Sequence, residues 1–167
     1  LKTISMATQA ILLGDADIVV AGGMENMSMS PYLLPKGRYG YKMGHGEVLD
    51  HMIKDGLWCA LADCHMGVTA ENVAGDYEIS RADQDAFSVQ SQQKAAAAWD
   101  NGVFAGEIAA VPLKSRKGDV IVDRDEHFRP DTTAEVLGKL RPAFAPDGSV
   151  TAGNASGIND GGAAVVV

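Results

Sequence analysis

Apolar residues recur at helical spacing in the first thirteen positions, and a short continuous apolar run follows. Residues 1–13 place apolar side chains three and four positions apart, and Gly14 follows as a stop signal, which predicts a helix. The run Ile18–Ala21 predicts a strand buried on both faces, as in a parallel sheet covered by helices. A helix, a short loop and a buried strand in this order are typical of an α/β layer.

The pattern is irregular between residues 24 and 63 and becomes clearly helical afterwards. Thr69–Asp76 is predicted as a short helix with Thr69 as its N-cap, and Ser80–Asn101 as a long helix. Ser80 and Asp83 have the spacing of a capping box. The apolar face predicted for the long helix consists of Ala86, Phe87, Ala95, Ala98 and Trp99.

The last third of the chain predicts a hairpin, a short helix and a final strand. Ile108–Leu113 and Val120–Val122 flank a turn that contains Gly118, and Thr132–Leu140 is predicted as a helix. The chain starts at Leu1 and ends in the apolar run Ala163–Val167, whereas termini usually lie in surface segments. We therefore expect an internal piece of a longer protein, with boundaries near residues 24 and 156.

Composition restricts the class of protein further. The 167 residues carry a net charge of −8, which argues against nucleic acid as a partner, and no run is long enough for a membrane span. Two cysteines exclude a disulfide framework and indicate a reducing compartment. No basic-then-apolar signal region is present at the start, so the predicted location is cytoplasmic.

Three features could carry chemistry, and each has a structural alternative. Cys59, Cys64 and His65 have neither zinc-site spacing nor that of a nucleophile pair, so we predict no metal and two ordinary half-buried thiols. Thr151–Gly162 is either a structural turn or a loop that lets backbone approach a ligand. Residues 103–145 balance seven cations with seven anions, and form either a solvated face or an arginine source for an anionic ligand.

Short motifs along the whole chain together resemble one family, the thiolases, and within it the acetyl-CoA acetyltransferases of the biosynthetic type. Each motif is weak alone, but their order and spacing are specific. They are Gly14–Asp17, Val20–Ser28, Ile53–Leu57, His65–Gly67, Thr69–Ala74, Ser80–Arg81, Gln84–Asp85, Leu140–Phe144 and Thr151–Gly162.

The resemblance implies an α/β fold of the thiolase type, in which two similar halves form an αβαβα arrangement. It assigns residues 1–24 to the end of the N-terminal half and residues 25–156 to an inserted α+β loop domain. Residues 157–167 then return to the N-terminal sheet. Segment 31–44 resembles the loop that forms tetramers in the family, which implies a homotetramer for the complete protein.

The implied reaction is the reversible condensation of two acetyl-CoA to acetoacetyl-CoA and CoA, through a cysteine thioester. The family's catalytic Cys, His and second Cys match no residue here, so we expect no catalytic residue and no activity from this piece alone. Coenzyme A thioesters are the substrates, and no cofactor is implied. There are two alternatives to this function. One is a degradative 3-ketoacyl-CoA thiolase, and the other is an inactive CoA-binding or structural piece.

The residues that match substrate contacts of the family are expected along the coenzyme A tunnel. Met66, in a short-chain His-Met-Gly motif, is expected at the acyl end and Arg129 at the adenosine end. Ser156 is expected to bond the pantetheine amide, and a core role stays open for Met66 and Phe144. His127 stands where some family members have a potassium-site Tyr, so potassium is not implied. The full set is Leu57, His65, Met66, Arg129, Phe144, Ala152 and Ser156.

Overall fold

A computed structural model describes residues 1–167 as helices and short strands. The helices are α1 (Lys2–Leu12), α2 (Met66–Asp76), α3 (Arg81–Asp100) and α4 (Ala134–Gly138). The strands are β1 (Val20–Glu25), β2 (Tyr32–Leu33), β3 (Leu49–Asp50), β4 (Trp58–Cys59), β5 (Cys64–His65), β6 (Val111–Leu113), β7 (Val120–Val122) and β8 (Gly161–Val166). A 3₁₀ turn covers Met27–Met29 and a π-helical turn covers Met52–Leu57. None of the helices is long and apolar enough to cross a membrane.

Contacts within the chain define two compact units. The first contains Leu1–Asp63 with Ile158–Val167, and the second contains Cys64–Gly157. The division into residues 1–24, 25–156 and 157–167 stays a prediction.

The first unit is built on the antiparallel pairing of β1 with β8. Val20 lies opposite Val166 and Glu25 opposite Gly161, and α1 packs on β1 with Ala7 buried. The prediction of a parallel strand buried on both faces is therefore wrong. An apolar run indicates that a strand can be buried, but it does not specify its partner. In a two-stranded ribbon most side chains stay exposed, and in β1 only Ala21 is buried.

The connections next to this ribbon are tied together by hydrogen bonds. Asp160, just before β8, accepts hydrogen bonds from the Ser28 hydroxyl at 2.5 Å and from the Ser28 N–H at 2.8 Å. These bonds, the hydroxyl bond first, hold the pKa of Asp160 below its ordinary value. The segments that leave β1 and enter β8 are therefore fixed to each other.

The second unit contains α2, α3 and α4 together with the β6–β7 hairpin, whose turn includes Gly118 at φ +115°. The Ser80 hydroxyl caps α3 by accepting from the Asp83 N–H, as predicted. The predicted N-cap at Thr69 is wrong, because α2 begins at Met66 and its N-cap is His65. The Thr69 hydroxyl instead donates to the Met66 carbonyl within the first turn.

The first half of helix α3 turns mostly polar side chains toward the interior, in contrast to the predicted apolar face. Phe87 is 73% exposed and Ala86 is also exposed, whereas Asp85 is buried. Ala95, Ala98 and Trp99 are half-buried, so only this part of the predicted face is confirmed. The prediction for Ala86 and Phe87 is wrong, because polar side chains of α3 instead face the interior. Hydrogen bonds within the unit replace those that these polar groups would make with water.

Candidate functional site

The seven predicted substrate-binding residues are distributed over both units. Leu57 belongs to the first unit, where it ends the π-helical turn and is half-buried. The preceding His51 fixes this turn, because its Nε2 lies 3.0 Å from Asp55 Oδ2 and its Nδ1 lies 3.0 Å from Ser30 Oγ. The other six residues belong to the second unit.

His65 and Phe144 come together although they are 79 positions apart in the sequence. Their rings stack with centroids 4.8 Å apart and planes 27° from parallel. The Gly67 N–H donates to His65 Nδ1 at 3.0 Å. Because Nδ1 is an acceptor here, the neutral imidazole carries its proton on Nε2 and keeps this N–H as a donor.

Helix α2 begins directly beside this pair, and Gly67 is the reason that the rings can pack there. A Cβ atom on Gly67 would overlap the ring of Phe144. Met66, the first residue of the helix, is 47% exposed. The stacked rings and the half-exposed methionine therefore occupy the N-terminal end of α2.

A carboxylate further along α2 holds the loop that carries Phe144. Glu71 accepts hydrogen bonds from the N–H groups of Ser149 and Val150 at 2.8 and 2.9 Å, and from the Ser149 hydroxyl at 3.0 Å. Desolvation opposes ionisation of this carboxyl, but the three donors outweigh it and lower its pKa. Because the Ala143 N–H in turn donates to the Val150 carbonyl, the position of Phe144 depends on Glu71.

We expect Glu71→Gln to lower the melting temperature at pH 7 and to weaken its dependence on acid. A carboxyl with a lowered pKa stabilises the fold fully above the ordinary glutamate value of about 4.3. This stabilisation is lost as the pH falls through the lowered value. Lost hydrogen bonds to a charged acceptor cost on the order of 1–3 kcal/mol. Thermal melts of the full-length protein at pH 7 and pH 4 measure both effects.

The exposed Glu107 makes no side-chain hydrogen bond or ion pair and supplies the matched control, Glu107→Gln. The control should melt like the wild type at both pH values. Equal melting of Glu71→Gln and wild type at pH 7 would contradict the anchoring role.

A second anchor, which is buried, fixes the glycine-rich loop. Asp85, 5% exposed, accepts from Arg81 Nε at 2.8 Å and from Asn154 Nδ2 at 2.9 Å. Asn154 Oδ1 accepts from the Thr151 N–H at 2.7 Å, and Thr151 is fully buried. Ala152 lies inside this closed loop and is exposed, so the loop presents it outward from a rigid base.

The same anchor continues to α4. Arg81 Nη2 donates to the carbonyls of Leu137, in the last turn of the helix, and Leu140, just after it, at 2.6 and 3.2 Å. Ser156, further along the glycine-rich loop, is exposed and makes no side-chain hydrogen bond within the chain. Its hydroxyl is therefore available to an external partner.

Sequence reasoning missed Glu71, Arg81, Asp85 and Asn154 as organisers of the site. These four residues belong to motifs that carry the resemblance, but the sequence predicts no role for any of them. The spacing of Arg81 and Asp85, four positions apart on one helix, is the one local signal that could have indicated an ion pair. The partner of Asp85 on the glycine-rich loop, Asn154, lies 69 positions away in the sequence, and no local pattern indicates it.

Arg129 also belongs to the second unit. No hydrogen bond or ion pair joins it to His65 or Phe144, and its side chain is exposed. Its backbone N–H donates to Gln92 Oε1 on α3 at 2.7 Å. The ion pairs of the chain are His51–Asp55, Arg81–Asp85 and Lys139–Glu135, so no carboxylate of the chain occupies the Arg129 guanidinium.

The cysteines form no site with other side chains. Cys59 and Cys64 are free and half-buried. No group of three or more His, Cys, Asp or Glu side chains lies close enough together to hold a metal ion.

Comparison with known proteins identifies the family of the chain. The family model described as "Thiolase, N-terminal domain" matches residues 1–167. The chain belongs to the thiolase family, as the motifs predicted. The α/β thiolase fold is confirmed as well, for the part of it that these residues form.

Individual relatives have names that agree with this family. An acetyl-CoA acetyltransferase of Paracoccus denitrificans is 58% identical over the whole chain. The structure of an acetyl-CoA acetyltransferase from Syntrophomonas wolfei matches 98% of the chain, with a TM-score of 0.91 and 49% identity. Human mitochondrial 3-ketoacyl-CoA thiolase matches 99%, with a TM-score of 0.88 and 42% identity.

The chain is much shorter than these relatives. It spans 42% of the Paracoccus protein, 41% of the Syntrophomonas chain and 42% of the human chain.

Proposed function

We propose that the chain forms the substrate-binding part of an acetyl-CoA C-acetyltransferase, which condenses two acetyl-CoA to acetoacetyl-CoA and CoA. The observation that carries the proposal is the similarity of the whole chain to an acetyl-CoA acetyltransferase at 58% identity. Assays of the full-length protein in both directions test it. Absence of both condensation and thiolysis would favour an inactive CoA-binding or structural protein.

In the proposed reaction, the acetyl group of one acetyl-CoA passes to a cysteine sulfur as a thioester, and CoA leaves. A base removes a proton alpha to the thioester of the second acetyl-CoA, and the resulting carbanion attacks the first thioester. A carbon–carbon bond forms and the cysteine is released. The Cys, His and Cys that make and break these bonds lie outside the 167 residues, so this chain supplies contacts to the substrate.

The proposed contacts are those that the resemblance to the thiolases implies, and the chemistry of the side chains is compatible with them. The His65 Nε2–H donates toward a thioester or amide carbonyl, and the free Ser156 hydroxyl bonds the pantetheine amide. Phe144 and Met66 supply the apolar wall for the acyl group. Leu57 and Ala152 line the tunnel as well, and the coenzyme A thioesters themselves need no further cofactor.

We expect Arg129→Ala to raise the KM for CoA and to leave kcat nearly unchanged. The proposed contact lies at the adenosine end, remote from the reacting carbon, so it contributes equally to ground-state and transition-state binding. A hydrogen bond to a charged group is worth about 1.5–3 kcal/mol, and less at an exposed site. Steady-state thiolysis of acetoacetyl-CoA measures both constants.

Arg116 supplies the matched control, because it is an equally exposed arginine in the turn between β6 and β7. Arg116→Ala should behave like the wild type. A reduced kcat with an unchanged KM in Arg129→Ala would show that Arg129 acts on the chemical step instead.

A degradative 3-ketoacyl-CoA thiolase is the second candidate, favoured by the similarity to the human mitochondrial 3-ketoacyl-CoA thiolase at a TM-score of 0.88. The two candidates differ in the length of the acyl chain that the site accepts. Met66 bears on this difference because its unbranched side chain is half-exposed at the start of α2.

We expect Met66→Ala to raise kcat/KM for longer 3-ketoacyl-CoA relative to acetoacetyl-CoA. Each methylene buried in the space that the shorter side chain leaves is worth about 0.8 kcal/mol. Met66→Leu, which keeps the volume nearly constant, is the control and should keep the wild-type preference. Equal loss of activity on all chain lengths in Met66→Ala would mean that Met66 only packs around His65.

The assembly and location of the complete protein are part of the same proposal. Segment 31–44 carries several exposed side chains, among them Tyr39, which is 91% exposed. We infer that this segment joins subunits of a homotetramer. The proposed location is the cytoplasm.

A further inference from the structure

The Arg124 side chain lies beside two aromatic rings in the second unit. Its guanidinium carbon lies 5.5 Å from the ring centroid of Trp99 and 5.6 Å from that of Phe128. The two rings are themselves stacked, with centroids 6.3 Å apart and planes 9° from parallel. Trp99 also packs against Phe104 at 5.4 Å, so the indole is held on a further side.

These contacts attach a segment that lacks regular structure of its own. Residues 123–133 lie between β7 and α4, and no helix or strand orders them. The conformation of such a segment depends on its side-chain anchors. The cation–π contacts of Arg124 form one anchor, and the bond from the Arg129 N–H to Gln92 forms the other.

Both anchors use the same face of α3. Gln92 and Trp99 are seven positions apart on this helix, which is close to two turns, so their side chains point to one side. Segment 124–129 therefore lies along α3 and is fastened at its start and at its end. The only interaction found for the Arg124 side chain is with the aromatic rings, since no carboxylate of the chain pairs with it.

We propose that Arg124 is a positioning residue for coenzyme A binding. It fastens segment 124–129 to α3 and thereby holds Arg129 where its guanidinium meets the nucleotide phosphates. This inference rests on the proposed function, because that function gives Arg129 its ligand. The planar guanidinium suits the role because it stacks on aromatic rings, which the ammonium group of lysine does less well.

The test is a double-mutant cycle in the full-length protein, with Arg124→Met, Arg129→Ala and the double variant. Loss of an exposed cation–π contact corresponds to a change of about two- to fivefold, so Arg124→Met should raise the KM for CoA by that factor with kcat unchanged. In the Arg129→Ala background the effect of Arg124→Met should disappear. Lys117→Met, at an exposed cation in the β6–β7 turn, is the matched control and should leave the KM unchanged.

Two further measurements separate positioning from other roles. With pantetheine and its acetoacetyl thioester, which lack the nucleotide, Arg124→Met should behave like the wild type. Arg124→Lys should recover only part of the wild-type KM. An increase in KM that persists in the Arg129→Ala background, or a reduced kcat with the pantetheine substrate, would overturn the proposal in favour of a direct phosphate contact or general destabilisation.

Amide hydrogen exchange distinguishes failure of this proposal from failure of the proposed function. Exchange of the Arg129 amide should be faster in Arg124→Met than in the wild type, whichever reaction the protein catalyses. A wild-type protein without thiolase activity would refute the proposed function alone. Unchanged exchange in Arg124→Met would refute the positioning role even in an active thiolase.

Discussion

Replacing Asp85 by Ala is expected to destabilise the full-length protein by about 3 kcal/mol, at the lower end of the range for breaking a buried ion pair. Asp85 is 5% exposed and receives hydrogen bonds from both Arg81 and Asn154. Its removal leaves a partly buried guanidinium without its carboxylate and releases the glycine-rich loop. Urea unfolding, followed by circular dichroism, measures the change in the free energy of unfolding.

The exposed Asp119 in the β6–β7 turn supplies the control, and Asp119→Ala should change stability by less than about 0.5 kcal/mol. Asp85→Asn keeps the shape and one acceptor oxygen, so it should fall between Asp85→Ala and the wild type. A loss of less than 1 kcal/mol in Asp85→Ala would indicate that the buried network contributes little net stability, as some buried ion pairs do.

Replacing Gly67 by Ala is expected to destabilise the protein by about 1–3 kcal/mol, the usual cost of overpacking. The added Cβ would overlap the Phe144 ring and push it from its stack on His65. Alanine is the better helix former by about 1 kcal/mol, so a net loss on α2 isolates the steric effect. Thermal melts measure the loss, and kcat/KM for thiolysis should fall with it.

Helix α2 contains its own control, because a Cβ on Gly75 meets no atom within 4 Å. Gly75→Ala should therefore leave stability unchanged or raise it by up to about 1 kcal/mol. The combination of Gly67→Ala with Phe144→Leu should recover part of the loss, since the smaller side chain leaves room for the methyl group. Equal stability of both glycine variants would contradict the proposed contact.

The sequence predicted those elements whose signals are local. Ser80 and Asp83 are three positions apart, and their capping bond formed as the spacing indicated. The predicted N-terminus of α2 is wrong because histidine is an uncommon N-cap, whereas Thr69 is one of the residue types that usually cap a helix. The prediction of the buried side of α3 is wrong in part, because the buried Asp85 accepts a hydrogen bond from Asn154, which is remote in sequence.

The contacts of the candidate site could also not be predicted where the partners are remote in sequence. His65 and Phe144 came from the resemblance, and the structure adds that they stack. The hydrogen bonds that the Ser149 and Val150 N–H groups donate to Glu71 could not be inferred, because the two segments are far apart in the sequence. A single sequence reports which groups need partners, whereas the tertiary fold decides which partners they receive.

The antiparallel ribbon of β1 and β8 has an evolutionary consequence. Glu25 and Gly161 lie opposite each other at one end of the ribbon. Residues 26–160 therefore form a long connection whose two ends are neighbours. The entropic cost of closing such a loop grows only with the logarithm of its length. Residues 26–160 can therefore gain, lose or exchange material while the exit and entry strands stay in register. Mutations can therefore change residues 26–160 while the β1–β8 ribbon keeps its own sequence and pairing.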